Sequence, residues 1–197
     1  GGLELAHALA QQLVARDPNF APARALLAYA YMLTSDPNIN ETSRRDPEMV
    51  EKARSTAQDA LRLDSRNALS RAVLANIQGI EGKWVDAEDL YRQAIALDPN
   101  DADVLHRYSL TLSVAGRIKE SLTLREKLRT LEPFVPVYNI FTAYIMRHNG
   151  QNEAAIAILK GLPAEPAAAL FPTEILAQAY ASEKRYGEAA DTILAFR

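Results

Sequence analysis

The chain's capacity for chemistry is set by three histidines, His7, His106 and His148, in 197 residues that include no cysteine. A zinc site or a general acid–base pair needs such groups to converge, usually from short spacings on one element. These three share no metal-ligand spacing. His106 and His148 are close enough in register to sit on neighbouring elements, but the expectation is imidazoles that face solvent or line a surface. Asp98-Pro99-Asn100-Asp101-Ala102-Asp103 has the acid density of a calcium loop. It places Ala102 at a ligand position and lacks the required glycine and distal glutamate, so helix stop, turn and cap explain it. Asn40-Glu41-Thr42 fits a glycosylation acceptor with no secretory context around it. Neither a Gly-rich phosphate loop nor a Ser/His/Asp signature occurs. The residues predict no enzyme, no metal and no cofactor.

Composition narrows the class further. Alanine is abundant and there are only 8 glycines, a balance that favours helices because Ala costs least in a helix and Gly among the most. A net charge of −3 gives no basic face for nucleic acid. No apolar run approaches the roughly 18 residues of a membrane span. The missing cysteines fit a cytoplasmic protein. The chain opens Gly1-Gly2-Leu3 and stops inside a helical pattern at Phe196-Arg197, so it reads as a fragment of a longer protein.

The elements that hold these side chains repeat. Ala87, Ser121, Ala155 and Ala189 follow one another at one constant step, and all are small. Ala75, Ser109, Ala143 and Ala177 keep the same step and are small too. Leu74, Tyr108, Thr142 and Leu176 form a third column, and Ala94, Leu128, Leu162 and Phe196 a fourth, all apolar. Pro99 and Pro133 are separated by the same interval. Small residues at fixed places let helix backbones approach while larger neighbours fill the gaps. Helices are expected at about 3–16, 21–34, 47–63, 67–81, 84–97, 101–115, 118–131, 135–149, 152–160, 171–183 and 187–196. Between Ala28 and Ala53 the frame gains thirteen residues, which fall in a polar stretch from Thr34 to Pro47. That stretch is a long inter-helix loop, ended by Asp46 as a cap and Pro47 as first helical residue.

This pattern, with its period of about 34 residues, resembles the tetratricopeptide repeat family. The best unit is Ala68 to Asp101, with Leu74, Ala75, Gln78, Ala87, Tyr91, Ala94 and Pro99 in the family's places. It departs at Arg71 and Ala75, where the family has Trp and Gly; Arg125 replaces an aromatic in the next unit, and Ala167 a proline later. The resemblance implies an all-α, right-handed α–α superhelix of about five hairpins plus an orphan N-terminal helix, a single array over 1–197. It also implies a concave face lined by the first (A) helix of each hairpin. Its inward columns are Pro22, Leu69, Asp103, Val137 and Phe171; Ala25, Ala72, His106, Ile140 and Glu174; and Tyr29, Asn76, Leu110, Tyr144 and Gln178. Only two of those positions are charged, both acidic, and Arg107 lies one residue off the column, so a carboxylate clamp is not expected. The candidate groove residues are Tyr29, Asn76, His106, Arg107, Tyr144 and His148, apolar bodies with polar tips suited to a peptide segment or partner domain.

The expected function is therefore a protein-interaction scaffold. A looser resemblance links Ala15-Arg16-Asp17-Pro18-Asn19-Phe20-Ala21-Pro22-Ala23 and Leu26-Leu27-Ala28-Tyr29-Ala30-Tyr31, with the loop after them, to C-terminal repeat regions of some bacterial multidomain regulators with a nucleotide cyclase or winged-helix module. It implies a regulatory domain. A third reading is self-assembly into a homo-oligomer through Leu3–Arg16 or Tyr186–Phe196.

Overall fold

Alanine-rich stretches punctuated by Pro, Asp and Gly fold into consecutive antiparallel helices. The structure, a computed structural model, describes residues 2–36, 44–163 and 170–196, which contain eleven helices and no strand. In chain order these are α1 (Gly2–Arg16), α2 (Ala21–Thr34), α3 (Pro47–Leu63), α4 (Ala68–Ile80), α5 (Trp84–Leu97) and α6 (Ala102–Val114). Then follow α7 (Ile118–Leu131), α8 (Pro136–His148), α9 (Asn152–Lys160), α10 (Leu170–Ser182) and α11 (Tyr186–Leu194). The expected boundaries hold within two residues. The largest shortfall is α11, which stops at Leu194 because Phe196 N–H turns back onto the Ile193 carbonyl (3.2 Å), tightening the last turn.

Two compact units divide the chain, Gly1–Thr111 and Leu112–Arg197. In the first, α1 packs on α2, α2 pairs with α3, α4 with α5, and the A helices α2 and α4 also touch. Its core is Ala28, Met32, Ala53, Ala57, Val73 and Ile77, with Tyr29, Tyr31 and Leu74 leaning on it. In the second, α8 pairs with α9 and α10 with α11, around Ala143, Ala155, Leu159 and Ile175. The small-residue columns are buried as their spacing requires: Ala75, Ser109 and Ala143 are all fully inaccessible, as are Ala87, Ser121 and Ala155. Arg125, in the column that Tyr91 fills one repeat earlier, is buried as completely as the tyrosine and is engaged by neighbours.

The start of α3 follows the cap read from sequence. Asp46 accepts from the backbone N–H groups of Glu48 (2.9 Å) and Met49 (3.3 Å), with Pro47 at the first helical position. The insertion after α2 is tied at its mouth. Asp46 N–H donates to the Ser35 carbonyl (3.2 Å), and Arg45 donates to the buried Ser35 hydroxyl (3.1 Å) and pairs with Asp36 (3.4 Å). Asn40-Glu41-Thr42 and Ala167 lie outside the described residues. The turns from A to B helix repeat a backbone requirement. Gly82, Gly116 and Gly150, each one repeat after the last, have φ of +76°, +78° and +74°, and Lys184 takes the next place at +59°. A side chain in that region costs energy that glycine avoids.

Candidate functional site: the A-helix faces

In the first unit, the expected groove residues are largely used by the protein itself. Tyr29 on α2 donates its hydroxyl to Asp103 Oδ1 on α6 (3.2 Å) and accepts from Nε and a terminal nitrogen of Arg107, each at 3.4 Å. The Arg107 guanidinium also lies 5.4 Å from the Tyr29 ring centroid, a cation–π placement. Burial pushes the Tyr29 phenol above its ordinary value, opposed by the Arg107 charge, so the hydroxyl remains a donor at neutral pH. Asn76 on α4 bonds the hydroxyl of fully buried Tyr91, which also lies 3.3 Å from the Thr111 hydroxyl. Tyr91 stacks on Tyr108 at 4.9 Å. His106 is buried, with 4% of its surface exposed, so it supports the α6 face from beneath. Tyr29, Asn76 and Arg107 are half-buried and form the polar top of this interior network.

The second unit is more open. Tyr144 and His148, one turn apart on α8, pack ring to ring at 4.3 Å. Phe171 from α10 approaches Tyr144 at 5.7 Å and Phe141 at 5.4 Å, and Phe141 meets Tyr144 edge-on at 6.4 Å. Phe171 keeps 40% of its surface exposed and Val137, on the same face, 44%. Arg147 reaches back along the helix end, a terminal nitrogen 2.9 Å from His148 Nε2. Burial first, and the Arg147 charge second, hold the His148 imidazole below its usual value, so it accepts that bond as the neutral form. Phe141 and Arg147 escaped the sequence reading because Phe141 sits one residue off the inward position at Ile140 and Arg147 lies beyond the last one, at Tyr144. Their signal was the pairing of Phe141 with Phe171 across one repeat, and of Arg147 with His148. Beside this surface, Glu174 and Gln178 of α10 face Ile193 and Leu194 of α11 across a cleft of about 650 Å³.

Among the described residues, no three His, Asp or Glu side chains gather as metal ligands. In the calcium-like stretch, Asp98 accepts from Asn100 N–H and Asp101 from Val104 N–H, both at 3.0 Å, so these carboxylates serve as turn and cap acceptors. No helix among the described residues is long and apolar enough to cross a membrane.

Paired helices with small-residue columns at a fixed step, and the same left-handed turn at each repeat, are the pattern of a tetratricopeptide array. The chain is similar to proteins of that family. The family profile for the tetratricopeptide repeat matches residues 90–123. A solved tetratricopeptide-repeat structure, YrrB, described as having an unusual peptide-binding site, superposes with a TM-score of 0.62 at 15% identity, covering 95% of this chain and 92% of that one. The fold class is thus the all-α superhelix of these arrays. The cellulose synthase operon protein C of Escherichia coli strain K12 is 35% identical over 85 residues, 42% of this chain and 7% of that protein. Transcriptional regulator HilA of Salmonella typhimurium is 28% identical over 153 residues, 77% of this chain and 27% of the regulator. The chain therefore spans less than a third of either curated relative. A tetratricopeptide-repeat fold supports a scaffold role in protein–protein interaction.

Proposed function

We propose that this chain is a binding module that receives a peptide segment or partner domain on its A-helix faces. The repeat frame runs through residue 111 without interruption, which supports reading 1–197 as one array. Tyr144 and His148 are the contact residues of choice, with Tyr29, Asn76 and Arg107 shaping the α2–α4–α6 face over buried His106. One observation carries the reading: the Phe141, Tyr144, His148 and Phe171 rings pack together yet stay partly open to solvent. Amphipathic rings fixed by their neighbours offer large contact area at small entropic cost, the composition typical of binding hot spots. A pull-down comparing the chain with a Tyr144→Ala, Phe171→Ala double variant tests it. The variant should lose its partners while its circular dichroism stays helical; equal recovery by both forms would refute the reading.

A second reading is favoured by the likeness to HilA over 77% of this chain: a regulatory segment of a bacterial multidomain signalling protein. On that reading, deleting these repeats from a longer parent chain changes the parent's output and leaves its other domains folded. Unchanged output would dismiss it.

A further inference from the structure

We propose that Arg147 and the aromatic shelf of α8 and α10 together select a protein segment in which a bulky apolar side chain lies beside an acidic one. This rests on the binding role proposed above and names the chemistry of the guest. Arg147 is the single formally charged residue of α8, whose sequence Pro136–His148 holds no acid. It forms no ion pair among the described residues. Its guanidinium contacts are to the neutral His148 ring, 3.3 Å from Nδ1 and 2.9 Å from Nε2, and its Nε is shut off from solvent without an acceptor. A basic residue in the last turn complements the helix dipole, which accounts for a positive charge there. It does not account for a buried guanidinium donor left without an acceptor, since such donors are normally satisfied.

Two other arginines of the second unit are paired with carboxylates. Arg117 pairs with Glu120, and Arg185 with Glu153 and Glu188. On the A helices of the second unit, α8 and α10, Arg147 makes no ion pair among the described residues and lies next to rings that bury poorly. A carboxylate would complete it with charge-assisted bonds, which are shorter and about twice as strong as neutral ones. The nearby acid, Glu174, stands one turn beyond Phe171 and forms no ion pair among the described residues, so an incoming carboxylate is steered to the Arg147 end of the shelf. An apolar side chain two residues or fewer away then reaches Phe171 and Tyr144.

Phage-displayed dodecamers, whose C-termini are fused and uncharged, serve as the probe. Panning the intact chain should enrich sequences with Phe, Tyr, Trp or Leu next to Asp or Glu. A synthetic hit, acetylated and amidated, should bind R147Q about tenfold more weakly, with an unchanged melting profile, and R147E should no longer enrich the motif. A hit that binds only as a free C-terminal acid would overturn the side-chain assignment. Acid-free hits that R147Q retains but the Tyr144→Ala, Phe171→Ala variant loses would overturn this inference and leave the binding role standing. Hits that survive both variants, or no enrichment at all, would count against both. Sedimentation showing a dimer that Phe171→Ala disperses would give the shelf to a second copy and overturn the proposal.

Discussion

His148 shows how a single side chain reports on its setting. Burial and then the Arg147 charge favour its neutral form in the folded chain, so its pKa lies below the ordinary 6.5. The unfolded chain then binds the proton at a higher pH than the folded one. Its contribution to stability is complete above about 6.5 and is lost as pH falls through the lowered folded value. Proton NMR of the imidazole should give a midpoint under 6.5. In R147Q the midpoint should rise part of the way back, since burial, the larger cause, remains. A midpoint at or above 6.5 in the native chain would show that the ring is not held as described. Tyr29 makes the opposite point. Its column placed it correctly on α2, but spacing alone carries no sign that Arg107 and Asp103 already occupy its hydroxyl.

Helices were the most legible part of the sequence, because their ends are written in local chemistry. Asp46-Pro47 starts α3, Asn67 caps α4 through Ser70 N–H (2.8 Å), and Pro136 opens α8. The A-to-B turns at Gly82, Gly116 and Gly150 went unread, because the requirement they meet is a backbone angle. What spacing could not supply was side-chain reach: Phe141 and Arg147 stand off the inward columns and still join the shelf. The turn column yields a test at this scale. Lys184 occupies the glycine position at φ +59°. Lys184→Gly should stabilise the α10–α11 hairpin by about 1 kcal/mol, the side chain's left-handed penalty less glycine's entropy in the unfolded chain. Urea unfolding measures it, and a loss of stability would mean that Lys184 earns its place through contacts of its own.

Across the whole chain, burial is graded. α1 buries only Ala10 and leaves Leu5, Leu9 and Leu13 largely exposed, and α11 buries no residue. α2 and α4, by contrast, contribute most of the first unit's core, and α8 and α10 much of the second's. Amide exchange should follow this order, fastest in α1 and α11 and slowest in α2, α4 and α8, because local opening costs least where few apolar groups separate. Uniform protection along the chain would contradict it.

Stacked hairpins usually behave as a ladder in which every rung leans only on the next, and such ladders come apart rung by rung. The Tyr29 hydroxyl bypasses the intermediate rung, reaching from α2 to Asp103 and Arg107 some 74 and 78 positions later. That long brace couples the first step of the ladder to the third. Loosening either end of it therefore unsettles both, and residues 1–111 should melt in a more concerted fashion than independent rungs would allow.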